Sequence, residues 1–399
     1  MVNEKMKFLG ESPSVIRDLY EKANALKELY GEDNVFDFSI GNPSIPTPNY
    51  VTNTLKTLLD ETDPVKLHGY TPSVGDKETR LSISSYINKK YGVNENPDLI
   101  YITMGAAAGL TISLNALLNP NDEAIIFSPY FPEYKVFIEK ALGIVKEVKT
   151  DKNFMIDLEL LDKAINKNTR LIIIDSPNNP TGVLYPESLI IDLSNLLKRK
   201  EKEYNHPIFI LSDEPYRELI YTDDDYPFIT KYYDDSIVIY SFSKSLSLPG
   251  ERIGYIIVSN KCANKENVFN AIKGAGRALG FICASSMYQK LIPKVLGITS
   301  DINEYKKNRD KLMEILDELG YEYAKPSGAF YLYMKALEDD AISFSNKALK
   351  HNLVIVPSDS FGSTGYVRIS YCVKYETITK SYDAFKALKE EYEAKNEWH

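Results

Sequence analysis

The sequence predicts an α/β protein: a doubly wound sheet with helices on both faces, joined to a smaller α+β domain. Three observations carry this reading. Between about residues 98 and 258, short runs rich in Ile, Val, Leu and Phe alternate with stretches of helical period, as strands alternate with crossover helices. Several of these runs are continuously apolar, the pattern of parallel strands covered on both faces. Beyond about residue 300, amphipathic helices and short aromatic strands follow one another in a different order, which points to an α+β layer.

Taken in order, the chain opens with a helix over 14–30 and then runs through Gly41, Pro43, Pro46 and Pro48, a stiff non-helical connection. Strands are expected at 99–103, 124–127, 171–174, 208–211, 237–240 and 252–258. Helices are expected between them, among them 106–118 and 186–200, the latter with Leu189, Ile190, Leu193, Leu196 and Leu197 on one face. The C-terminal part reads as a helix at 302–319, an aromatic strand at 328–334, a helix at 343–351, strands at 353–356 and 366–371, and a final helix at 377–392. Neither an internal repeat nor a low-complexity linker interrupts the chain.

With 399 residues the chain is long enough for two domains or one large one. Its 44% hydrophobic and 26% charged residues are those of an ordinary globular protein. A net charge of −9 argues against a surface made to coat nucleic acid. Cys262, Cys283 and Cys372 are odd in number and lack CxxC spacing, so neither a disulfide scaffold nor a cysteine-rich zinc site is expected. Residues 1–10 contain no apolar stretch of signal-peptide length, and no window holds the roughly 18 to 20 apolar residues of a membrane span. A cytoplasmic protein is therefore expected.

Ligands of an open parallel sheet bind beyond the carboxyl ends of its strands. The residues there form a consistent set of small and polar turns: Met104 to Gly109, Ser128 to Phe131, Asp175 to Gly182, Ser212 to Tyr216, and Ser241 to Lys244. Five turns converge on one edge. Asn179-Pro180-Thr181-Gly182, Asp213-Glu214-Pro215-Tyr216, Ser241-Phe242-Ser243-Lys244 with Gly250-Glu251-Arg252-Ile253-Gly254 behind it, and Val367-Arg368-Ile369-Ser370 stand in fixed order over nearly the whole chain. On these motifs the sequence resembles the pyridoxal-phosphate-dependent aminotransferases of class I and II, the aspartate aminotransferase family of fold type I.

The resemblance implies a large cofactor domain over 49–290 with a mainly parallel, mixed sheet, and a small domain built from 1–48 and 291–399. It implies pyridoxal 5′-phosphate, bound as a Schiff base to Lys244. Desolvation at the end of a buried strand favours the neutral amine this chemistry needs. Asp213 is then the carboxylate facing the pyridine nitrogen, and Tyr216 and Asn179 hold the ring hydroxyl oxygen. Phe131 stacks on the ring, worth about 0.5–1.5 kcal/mol beyond area burial. Ala106 and Ala107, at the start of a helix, join Ser241, Ser243 and Arg252 in a phosphate cup. Tyr70 corresponds to the tyrosine that family homodimers donate from the neighbouring subunit. Arg368 resembles the arginine that grips the substrate carboxylate through two parallel hydrogen bonds, and Gly41 fits the segment that closes over substrate. Arg17 and Arg277 are candidates for the distal carboxylate of an aspartate-like donor.

The implied activity is amino transfer between an L-amino acid, an aspartate-like one being favoured, and a 2-oxo acid by a ping-pong mechanism. Alanine or aromatic donors, β-elimination or decarboxylation on the same fold, and a non-catalytic cofactor-binding regulator are the alternatives. Two rivals fail on the residues. Ser241 to Lys244 also spells SxxK, but the SxN-like Ser176-Pro177-Asn178 precedes it, the wrong order for a penicillin-binding serine enzyme. Gly274, Gly276 and Gly280 miss the dinucleotide spacing by one residue. His68, His206, His351 and His399 are scattered and propose no metal site.

Overall fold

The computed structural model describes residues 2–12 and 14–396; His399 lies outside them. A seven-stranded sheet runs, in spatial order, Ile100–Thr103, Gly254–Val258, Ser236–Ser241, Phe209–Asp213, Thr169–Asp175, Glu123–Ser128 and Ile144–Lys149. All neighbours pair in parallel except Gly254–Val258, which runs against both of its own. The mixed character agrees with what the resemblance implies. Its cause is local: the link from Ser241 to Gly254 contains only the short turns Phe242–Ser245 and Pro249–Glu251, no helix able to carry the chain across the sheet.

The continuously apolar strands bury alternate side chains on opposite faces. Ile172 and Ile174 enter one core cluster, while Leu171 and Ile173 enter another. Helices such as Ala106–Leu117 and Glu187–Tyr204 cover those faces. Ile144–Lys149 was not expected, because Lys146, Glu147 and Lys149 interrupt its apolar residues. It is an edge strand, where such charges discourage pairing with another chain.

The C-terminal part forms a four-stranded antiparallel sheet in the order Val356–Pro357, Tyr366–Ser370, Tyr331–Lys335 and Tyr323–Ala324. The expected strand at 353–356 divides: Leu353–Val354 instead pairs in parallel with Phe36–Asp37. Residues near both ends of the chain are thus hydrogen-bonded together. The expected final helix is also broken, into Tyr375–Lys380 and Tyr382–Asn396. Both the backbone N–H and the hydroxyl of Ser381 donate to Ile378 O, turning the chain there. A helix at Glu4–Glu11, not expected from the sequence, precedes the one expected at 14–30, which spans Val15–Tyr30 with the Ser14 hydroxyl accepting from the Arg17 N–H.

One buried cation anchors the region behind the strand ends. The Arg217 guanidinium donates to Glu214 Oε2 at 2.8 Å and Tyr255 Oη at 2.7 Å, and lies 4.2 Å from the centre of the Tyr240 ring. Glu214 is 0% exposed. Arg217→Met would leave its carboxylate without a counter-charge, a loss of about 3–5 kcal/mol. Chemical denaturation should show that loss, and Glu214→Gln in the same chain should recover a large part of it.

Candidate active site

The carboxyl edge of the seven-stranded sheet opens into a cavity of about 290 Å³. Lys244 enters it from the turn immediately after strand Ser236–Ser241. Its Nζ donates to Gly41 O at 2.9 Å and lies 5.3 Å from the centre of the Phe330 ring. Burial pushes the amine down to about 8; Cys372 opposes this, and the Arg252 and Arg368 charges each add a smaller push downward. About a tenth of the amine is therefore neutral at pH 7, against well under a thousandth for an ordinary lysine.

Asp213, the last residue of its strand, receives the Tyr134 O–H on Oδ2 at 2.7 Å, while its buried Oδ1 has no partner. Burial pushes this carboxyl up to about 7, with the Tyr134 hydrogen bond acting the other way. Tyr216 follows three residues later, its hydroxyl 2.9 Å from that of Tyr331.

Arg368 projects from strand Tyr366–Ser370 and is 2% exposed. It donates to Asn179 Oδ1 at 3.0 Å and Ser39 O at 2.7 Å, and its guanidinium lies 4.6 Å from the Tyr331 ring centre. Its buried Nε has no partner. With Oδ1 of Asn179 so used, the amide hydrogens are what Asn179 can offer a ligand.

At the other end, Ala106 and Ala107 begin helix Ala106–Leu117 with no side-chain cap, so their amide hydrogens and the helix dipole face the cavity. Gly105 precedes them at φ +85°, and a Cβ there would meet Arg252 Nη2 at 2.9 Å. The guanidinium lies against bare backbone. Ser241 and Ser243 line the same end, their Oγ atoms 2.6 Å apart. Phe131 forms a side wall and packs edge-on against Tyr134, ring centres 5.5 Å apart.

Twelve of the sequence-selected residues thus meet around one cavity, Gly41 included. Tyr70 does not: it is 99% exposed, outside the cavity of its own chain. Arg17 and Arg277 are also exposed and outside it.

The family model described as aminotransferase class I and II matches residues 33–385. The chain belongs to this family. An aspartate aminotransferase from Thermotoga maritima is 33% identical over 383 residues, covering 94% of this chain and 96% of its own. A probable aspartate aminotransferase from Methanocaldococcus jannaschii is 32% identical over 384 residues, covering 94% and 97%. In structure, an amino transferase from Eubacterium rectale superposes with a TM-score of 0.97 at 50% identity, covering 98% of this chain and 99% of that one. The fold is that of the aminotransferases.

Ile16, Asp175 and Tyr331 line this aminotransferase's cavity without having been singled out in the sequence, as does the hydrogen-bond donor of Asp213, Tyr134, from behind it. Tyr134 lies three residues beyond Phe131, and Asp175 opens the turn that contains Asn179, so position relative to selected residues was their available signal. Ile16 and Tyr331 reach the cavity only through tertiary packing. The depressed Lys244 amine gives a direct test: in the cofactor-free protein, its reaction with an amine-directed acylating reagent, followed by peptide mass spectrometry, should rise with a midpoint near pH 8.

Proposed function

We propose that this aminotransferase binds pyridoxal 5′-phosphate at Lys244 and moves an amino group from an L-amino acid to a 2-oxo acid by a ping-pong cycle. The observation that carries the proposal is the buried Lys244 amine, held near neutrality in the same cavity as Asp213 and Arg368. The residues fit the cofactor. Asp213 Oδ1 is a buried acceptor without a partner, suited to a ring N–H, and the uncapped helix beside Gly105 and Arg252 suits a phosphate. When bound, pyridoxal phosphate supplies an aldehyde that takes the amino group and a protonated ring that withdraws electrons.

Each side chain then has a definite task. Lys244 Nζ attaches the cofactor and, once displaced by substrate, carries the proton removed from Cα. Asp213 holds the proton on the ring nitrogen, and Tyr216 with the Asn179 amide holds the ring oxygen. Phe131 lies against the ring face. Ser241, Ser243, Arg252 and the Ala106 and Ala107 amides bind the phosphate. Arg368, with an unpartnered Nε, receives the substrate carboxylate and so fixes which Cα bond points at Lys244. Gly41 lies in the segment that closes over substrate, and its carbonyl is the acceptor Lys244 must leave.

Several finer features belong to the same proposal. The chain acts as a homodimer in which Tyr70 of one subunit completes the phosphate site of the other; its near-complete exposure supports this. The cofactor domain spans 49–290, and 1–48 with 291–399 form the small domain, supported by the pairing of Phe36–Asp37 with Leu353–Val354. The three cysteines are free, in keeping with a cytoplasmic setting. Among the described residues no helix is long and apolar enough to cross a membrane.

An aspartate-like donor is the favoured substrate, supported by the two aspartate aminotransferase relatives. A second reading, alanine or aromatic donors, is supported by the apolar walls Ile16, Leu110, Phe131 and Pro249, and by the exposed positions of Arg17 and Arg277. A screen of amino donors against oxo-acid acceptors that also measures ammonia and pyruvate separates the two readings and distinguishes transfer from elimination.

The purified protein should be yellow or become so on adding pyridoxal phosphate; a protein that stays colourless would overturn the proposal. Lys244→Ala should retain cofactor and lose amino transfer. Arg368→Ala should lower kcat/KM by about 2–5 kcal/mol of transition-state binding, roughly 30- to 4,000-fold.

A further inference from the structure

Asp175 and Asp213 are cross-strand partners at the carboxyl ends of adjacent parallel strands, which lie about 4.8 Å apart. Both line the cavity, at 6% and 5% exposure. Each spends one oxygen on a single donor: Asp175 Oδ2 accepts from the Asn179 N–H at 2.9 Å, and Asp213 Oδ2 from the Tyr134 hydroxyl. The remaining oxygen of each, Oδ1, is buried and unpartnered.

Among the described residues no cation is a principal influence on either carboxyl, and Glu214 adds a further negative charge beside Asp213. Lys244 bonds to Gly41 O, Arg252 to Pro249 O, and Arg368 to Asn179 Oδ1 and Ser39 O. The ionisable groups acting on Asp175 are Asp213 from the next strand, Tyr134, Tyr185, Tyr216 and Tyr331. None of the five is cationic. Two desolvated carboxylates this near one another cannot both ionise near neutrality, so the pair retains a proton. Burial and the Asp213 charge push Asp175 well above the ordinary carboxylate range, against the Asn179 N–H, and the shorter of the two bonds, 2.7 Å from the Tyr134 O–H against 2.9 Å from the Asn179 N–H, makes Asp213 the better-held carboxylate.

We propose that Asp175 and Asp213 work as an acid–carboxylate pair, in which Asp175 holds the one proton they share and leaves Asp213 as the ionised member. Its place beneath the cofactor's ring nitrogen rests on the function proposed above. Asp175 is then a positioning residue: as a neutral acid it keeps a second negative charge out of the site.

The consequence for stability has a definite sign. A carboxyl group raised on folding stabilises fully below the ordinary carboxylate range, and that contribution is lost as pH rises through its folded value. Asp175→Asn, a neutral isostere, removes the effect. Relative to wild type, the cofactor-free D175N protein should gain about 2–4 °C more in Tm at about pH 8.5 than at about pH 5.5. Difference infrared spectra of cofactor-free wild type should contain, at about pH 7, a protonated-carboxyl C=O band that fades at alkaline pH and is missing from D175N.

Parallel Tm curves with pH, absence of the band, or its survival in D175N overturns the pair. The wild-type spectrum alone decides should D175N fail to fold. If the band is found but added pyridoxal phosphate gives no visible absorption, the acid pair stands and the cofactor reading beneath it falls.

Discussion

Desolvation of ionisable groups at the carboxyl edge of the seven-stranded sheet is the constraint on which the site depends. A lysine, two aspartates and an arginine are removed from water there, each with fewer partners than its hydrogen-bonding capacity allows. In an isolated fold such groups destabilise. The strand ends tolerate them because each is tied firmly: Lys244 to Gly41 O, Asp213 to Tyr134, Asp175 to the Asn179 amide, and Arg368 twice, to Asn179 and Ser39. The bonding left unused is what a ligand can complete, and the same burial raises the neutral share of the amine.

Close backbone approach makes room for this arrangement. Gly254 begins the one reversed strand, where a Cβ would meet Tyr240 O at 2.2 Å and Gly105 Cα at 3.1 Å. Gly105 in turn leaves space for Arg252, two residues before Gly254. Two glycines therefore let the helix N-terminus, the reversed strand and a guanidinium occupy one corner. Any side chain at either position would separate the cation from the helix amides it reinforces.

Much of this was legible in the sequence because strand ends are marked by abrupt changes in residue type. The apolar run before Asp213 and that before Ser241 identify the strands, and the polar residues after them identify the edge. What stayed hidden had physical causes. Ile144–Lys149 carries the charges of an edge strand and so lacks a continuous apolar run. The reversal of Gly254–Val258 depends on connection length, not on composition. Tyr331 looks like any other aromatic of a core strand until Arg368, from the neighbouring strand, is found over its ring. Asp175 reads as a turn residue, and only the parallel register with Asp213 reveals that two carboxyl groups share one site.

That register also explains why the ends of the chain matter to chemistry at its middle. Gly41 and Ser39 come from the N-terminal connection, and Arg368 and Tyr331 from the C-terminal sheet, whereas Lys244 and Asp213 belong to the central one. The hydrogen bond from Lys244 to Gly41 O joins these parts through the buried amine itself. When the amine is engaged elsewhere, the Gly41 carbonyl loses its donor and the N-terminal connection loses one tie to the central sheet. Arg368, bonded to Ser39 O two residues earlier, keeps that connection in place. In the proposed function, attachment at Lys244 and carboxylate binding at Arg368 would therefore be coupled through residues 39–41, the segment being freed at one end by the first event and held at the other for the second.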